Sequence, residues 1–178
     1  MLEELLSVND LQLCCCSWKP SSIPIGRIVI LHGWLDHAMS WKKVAERLCG
    51  RGYEVHVYDQ RGHGKSAHVA LSSHYHFIDY VADLQAFVHK HICNHQIPTT
   101  LIGHSMGGSV GLIYASSVYE HQLDRLVLIE GLGPPVESPR NSAARLKRHL
   151  QQRSILAEHP TFNTLEEAAR RLLKRHPY

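Results

Sequence analysis

Ser105 stands in the stretch Gly103-His104-Ser105-Met106-Gly107-Gly108, directly after the apolar pair Leu101-Ile102 and directly before a segment of helical character. A serine hydroxyl does chemistry only when the backbone presents it and a neighbouring base removes its proton. Glycine weakens a helix and gives a strand nothing to pack, so three glycines around one serine predict a sharp turn. G-x-S-x-G between a strand and a helix holds its serine on a tight bend, with Oγ projecting from the sheet edge. Side chains two before and two after the serine would collide across that bend, and Gly103 and Gly107 occupy those places. The following helix aims its N-terminus at the hydroxyl, which makes the Met106 amide a donor for a developing oxyanion. The other reading of these residues is an ordinary strand-to-helix turn with a buried serine.

An oxyanion needs a second donor. The stretch Leu31-His32-Gly33-Trp34-Leu35-Asp36 follows the β-branched run 27–31, and His32-Gly33 lets the chain turn so that the Trp34 amide faces Ser105. Loss of one such donor typically costs about 3 kcal/mol of transition-state stabilisation. A carboxylate is available at Glu130, which closes Leu126-Val127-Leu128-Ile129-Glu130. Glu130 has two readings, the acid of a triad or a polar residue at a strand end.

These residues must be positioned by regular elements. Residues 5–18 read as two short strands around an Asn9-Asp10 turn, a predicted hairpin. Strand 27–31 is followed by a helix over 40–52 with Trp41, Val44, Ala45 and Leu48 on one face, stopped by Gly50 and Gly52. Residues 53–58 form a strand ending at Asp59, and the glycine-rich, polar stretch 59–68 is a loop. Phe77, Val81, Leu84, Val88 and Ile92 have helical spacing, and 94–98 ends that helix. A strand over 99–103, a helix over 106–119 and a strand over 123–130 complete the alternation, the last apolar enough to be buried on both faces. Strand and helix in alternation imply a mostly parallel sheet covered on both sides, with strand ends converging along one edge. His32, Gly33, Asp59, Ser105 and Glu130 all fall at or just past such ends. The boundary read here divides a core over 1–131 from a second segment over 132–178. The linker 131–141 opens that segment, and two amphipathic helices follow at 142–156 and 164–175, the second with Thr164 and Glu167 as a capping box.

Composition excludes several classes. With 44% hydrophobic and 20% charged residues among 178, the chain is globular. A net charge of +3, without a basic stripe interleaved with aromatics, does not support a nucleic-acid partner. The basic residues after Arg140 read as solvated helix faces. No apolar run approaches the ~20 residues that span a bilayer, so no membrane partner is expected. Acidic residues near the N-terminus do not make an export signal, and five cysteines, three of them consecutive, fit reduced thiols in the cytoplasm. The fifteen histidines lack metal-ligand spacing, and 74–76 and 89–91 read as surface histidines. No metal and no cofactor are expected, and oligomeric state is not legible.

His32-Gly33-Trp34-Leu35-Asp36, Asp59-Gln60-Arg61-Gly62-His63-Gly64-Lys65-Ser66 and Gly103-His104-Ser105-Met106-Gly107-Gly108, in that order, resemble the α/β-hydrolase superfamily. The likeness is closest to its serine hydrolase-like members and bacterial α/β hydrolases, and it covers nearly the whole chain. The resemblance implies an α/β fold with an N-terminal hairpin and a nucleophile at Ser105. It implies an oxyanion hole from the Trp34 and Met106 amides, supported by His32, Gly33, Gly103, His104, Gly107 and Gly108. It also implies a helical cap beginning after Gly131 and a bracing role for loop 59–66. The substrate class implied is a small ester or related acyl compound. Such a triad runs nucleophile, acid, histidine along the chain. The histidine loop of the resembled family follows later strands than these 178 residues contain. The expectation is therefore a truncated hydrolase, weak or inactive, poorly soluble or partner-dependent, whose strand 125–129 is left as an apolar edge. The second reading is a non-catalytic remnant or binding module that keeps the hydrolase core.

Overall fold

The computed structural model describes residues 1–70, 73–92, 97–117, 123–133, 138–154 and 161–175. The chain divides into two compact units, Met1–Pro135 and Val136–Tyr178.

The first unit is built on six strands, β1 (Leu2–Val8), β2 (Leu11–Trp18), β3 (Gly26–Leu31), β4 (Tyr53–Tyr58), β5 (Thr99–His104) and β6 (Arg125–Ile129). Their spatial order is β1-β2-β4-β3-β5-β6. Asn9 and Asp10 adopt φ of 45° and 60°, left-handed values that suit short polar side chains, and so turn β1 back on β2. β2 runs antiparallel to β4, whereas β3 pairs parallel with β4 and β5, and β5 with β6. The parallel pairs need crossovers. They contain α1 (Lys42–Cys49), α2 (Phe77–Phe87, continuing into a π-helical turn Val88–Ile92) and α3 (Met106–Ser117). This mixed, mostly parallel sheet with helices is the α/β-hydrolase fold expected from the sequence.

Alternation along the strands divides the core in two. Leu13, Val29, Leu31, Tyr58 and Leu101 pack with Leu84 and Phe87 of α2 and with Val110 and Tyr114 of α3. Trp18, Ile28, Ile30, Val55 and Val57 pack with Ala45 of α1, flanked by Trp41, Leu48 and Cys49. Each fully buried large apolar side chain contributes about 1.5–3 kcal/mol by leaving water. A polar cluster also sits within the sheet. The Arg27 Nε–H donates to Glu54 at 2.9 Å, and His56 Nδ1 lies 2.9 Å from Ser17 Oγ. His56, then Arg27, hold the Glu54 carboxyl down at about 2, against the opposing effect of burial.

Three expectations change. Val44 is 44% exposed, and Cys49 takes its place against the core, because the inward arc of the helix runs through Ala45, Leu48 and Cys49 and leaves Val44 at its margin. Phe77 reaches the cavity described below instead of the core. β6 is not buried on both faces. Leu126 meets α3, but Val127 and Ile129 on the opposite face are exposed, since β6 is the outermost strand among the described residues. The ends expected for the helices over 77–92 and 106–119 fall partly on 94–96 and 118–119, outside the described residues, as do residues 134–137 of the linker.

The second unit contains α4 (Ser142–Ser154) and α5 (Leu165–Arg175). The Glu167 amide donates to Thr164 Oγ1 at 3.2 Å, while the Glu167 carboxylate accepts from the Asn163 amide, one residue earlier than a reciprocal capping box requires. Leu146, Leu150, Leu165 and Leu172 are all more than half exposed. Among the described residues no helix is long and apolar enough to cross a membrane, and no cluster of three His, Cys, Asp or Glu is placed to hold a metal ion.

Candidate active site

Main chain crowds closely around the bend between β5 and α3. Ser105 takes φ of 50°, a left-handed conformation that costs a non-glycine residue roughly 1–2 kcal/mol. Its amide donates to the Ile129 carbonyl at 2.9 Å, and its carbonyl accepts from the Ser109 amide at 3.1 Å as α3 begins. The surrounding glycines let main chain touch main chain. A Cβ on Gly103 would lie 2.4 Å from the Gly107 carbonyl oxygen, the collision expected across the bend. A Cβ on Gly107 would instead meet the Leu31 and His32 carbonyls at 2.5 and 2.7 Å. A Cβ on Gly108 would lie 2.8 Å from the Gly131 carbonyl oxygen, and one on Gly131 would lie 2.3 Å from the Ser105 carbonyl oxygen. The ends of β3, β5 and β6 are thereby pressed around one serine. The first amides of α3, Met106 among them, have no acceptor inside the helix.

The loop after β3 is held from beneath. His32 is fully buried; the Gln60 amide donates to its Nε2 at 2.9 Å, and the Gln60 side-chain amide donates to its carbonyl at 2.7 Å. With Nε2 accepting, the ring proton is on Nδ1, which donates to the Gly33 carbonyl at 2.8 Å. Burial lowers the His32 pKa, so the neutral ring is favoured. A Cβ on Gly33 would lie 2.9 Å from His104 Nδ1 and 3.4 Å from Ser105 Cβ, which puts this loop's backbone against the serine. The His104 ring sits 6.3 Å from that of Trp41.

Ser105 and Met106 open on a cavity of about 470 Å³ shared with Trp34, Phe77, Ser109, Glu130, Gly131, Leu132 and Gly133. Ser105, Met106, Trp34 and Glu130 are thus brought together. His32, Gly33, Gly103, His104, Gly107 and Gly108 adjoin the bend or the loop after β3 but are not among the residues lining this cavity. Glu130 is exposed and takes φ of 50°. No histidine is among the described residues lining this cavity. A larger cavity of about 680 Å³ along α5 presents Arg170, Arg171 and Lys174 beside Glu167, without a comparable nucleophile.

Loop 59–66 braces this end of the sheet. Asp59 accepts from the Ala38 and Lys65 amides at 2.6 and 2.8 Å, and Ser66 Oγ donates to the Asp59 carbonyl. Arg61 grips Asp83 of α2 through two bonds at 2.6 and 2.7 Å and reaches Asp79 at 3.2 Å. Sequence reading missed Gly131, which looks like the first residue of a linker, and Phe77, whose spacing imitates a core position. It also missed Gln60, whose partner lies 28 residues earlier, a pairing no local pattern encodes.

The comparisons agree with this architecture. A family model described as serine aminopeptidase, S33 (Hydrolase_4) matches residues 22–176. The monoacylglycerol lipase of Mycolicibacterium smegmatis is 32% identical over 124 residues, 68% of this chain and 42% of the lipase. The mouse (Mus musculus) monoglyceride lipase is 31% identical over 123 residues, 65% of this chain and 38% of its own length. A thioesterase domain from the curacin biosynthetic pathway superposes with a TM-score of 0.82 at 31% identity, covering 99% of this chain and 62% of that domain. The chain spans less than half the length of the two lipases. With 155 of its residues matched by one family model, the chain belongs to the S33 serine aminopeptidase family of α/β hydrolases.

Proposed function

We propose that Ser105 is the nucleophile of an ester or related acyl hydrolase, with the Trp34 and Met106 amides as oxyanion donors and Glu130 as the acid. The observation that carries this reading is the left-handed φ of Ser105 on a bend sealed by backbone contacts and opening on a cavity. In the reaction a base takes the Ser105 proton while Oγ attacks the substrate carbonyl. The tetrahedral oxyanion is held by the two amides, and the alcohol departs with a proton. Water then attacks the acyl-serine, releasing the acid and restoring the hydroxyl. Trp34, Phe77, Met106 and Leu132 give the cavity an apolar lining suited to an acyl chain. The names of the lipase relatives support a fatty-acyl ester of glycerol as the substrate class.

Residues 132–178 are read as the start of a helical cap. A cytoplasmic location is supported by the unpaired thiols of Cys14, Cys15 and Cys16. Serine without a base is a poor nucleophile, so turnover by the described residues alone is expected to be orders of magnitude below that of a full triad. The lack of a histidine among the described cavity residues favours the second reading, a binding module that keeps the pocket without turnover. A fluorophosphonate probe separates the two. Labelling of the wild type but not of Ser105→Ala supports the nucleophile. No labelling, with a fatty-acyl ester still binding, supports the binding module.

A further inference from the structure

We propose that His63 is a positioning residue for the oxyanion loop, holding Trp34 in place through ring contact from loop 59–66. This rests on the reading of Trp34 as an oxyanion donor. His63 is 7% exposed, and its ring centroid lies 5.2 Å from that of Trp34 at 79° and 5.2 Å from that of His32 at 60°. Both are edge-to-face arrangements, the geometry in which aromatic rings attract beyond simple burial. Trp34 itself is 58% exposed, and Leu35 beyond it is 76% exposed with φ of 59°. The solvent side of this loop therefore offers little restraint, and the fixing contacts come from beneath.

Those contacts come from one segment. Gln60 ties both the ring and the carbonyl of His32, and His63 supports His32 and Trp34 together. The segment is itself anchored to α2 by Arg61 on Asp83. His63 Nδ1 lies 3.0 Å from the Arg61 carbonyl, which can only accept, so the ring proton is on Nδ1 and the ring's orientation is set. Its Nε2 is buried without a partner among the described residues. An unpaired buried acceptor opposes folding, so it is the shape and face of the ring, and not Nε2, that the Trp34 contact uses. Phenylalanine keeps that ring but lacks the Nδ1–H that bonds the Arg61 carbonyl, so it should serve in large part.

Amide hydrogen exchange on the 178-residue chain tests this without requiring turnover. In His63→Ala, exchange over residues 33–38 should quicken about tenfold, through local opening, with β3 and β5 unchanged. His63→Phe should restore most of the wild-type protection over 33–38, even where loss of the bond to Arg61 lowers its melting point. Unchanged exchange at 33–38 in His63→Ala overturns the proposal, as does an equal increase throughout the sheet or a failure of His63→Phe to rescue. Where the wild type takes a fluorophosphonate label on Ser105, His63→Ala should label about tenfold more slowly, because a displaced donor stabilises the oxyanion less well. Wild-type labelling speed in His63→Ala also overturns it. Equal labelling of Ser105→Ala would instead remove the nucleophile reading, leaving the exchange result to stand by itself.

Discussion

The bend at 103–108 and the loop at 59–66 both lie at the carboxyl edge of the sheet, and both are rich in glycine, yet their glycines answer different constraints. At 103–108 the glycines avoid the left-handed region, and that conformation falls on Ser105. Their missing side chains make room for other backbone, so nothing there can swing aside. At 59–66 the positions are reversed. Gly62 and Gly64 take φ of 74° and 52°, and an added Cβ would meet side chains, the Tyr75 ring at 2.6 Å and the Asp59 carboxylate at 2.1 Å. The first bend uses glycine for proximity and places its strain on the reactive residue. The second uses glycine for conformation and leaves its neighbours some freedom to move.

Gly103→Ala gives the strongest test of that distinction. Its Cβ would press on main chain at 2.4 Å, and the expected loss is about 3 kcal/mol or more by denaturant melting. A loss below about 1 kcal/mol would remove the idea that proximity rules this bend. Gly64→Ala should cost about 2 kcal/mol, since it combines a strained φ with displacement of a carboxylate that can partly rotate away. If it proves worse than Gly103→Ala, the order of the two bends is reversed.

Acid tests the link between them. The folded pKa of His32 is lowered by burial, so below about 6.5 the unfolded chain binds that proton first. Its contribution is present above that pH and is lost as pH falls, because a protonated Nε2 cannot accept from Gln60. Urea melts at pH 7.5 and 5.5 should show a drop of about 1 kcal/mol that His32→Gln abolishes. The smallest effect is a gain. Ser105→Gly removes the left-handed strain and should raise stability by up to about 1 kcal/mol while abolishing labelling. A loss in that variant would mean Ser105 is not strained.

The parts of the fold legible in the sequence were those with local signatures. Asn9-Asp10 between alternating runs marked the hairpin, and the glycines around Ser105 marked the bend. Val44 was misplaced because its spacing fits the edge of a helical face whose centre, set by Ala45, Leu48 and Cys49, only the packed sheet reveals. The burial of β6 was overestimated because an apolar run records composition and not how many neighbours a strand has. Gly131 and Gln60 act through contacts with residues distant in sequence, which only the folded sheet brings together. Glu54 and His56 were hidden for the same reason, two polar residues inside a strand whose partners lie on β2 and β3.

β2 carries three consecutive thiols, each no more than 2% exposed. Burial raises Cys15 to about 12 and Cys16 to about 11, so near neutrality they remain protonated, and an alkylating reagent finds no thiolate while the strand is paired. Residues 14–16 can therefore serve as a clock for the hairpin: the pace at which they are capped counts how often β2 parts from its neighbours, whatever the fate of the serine.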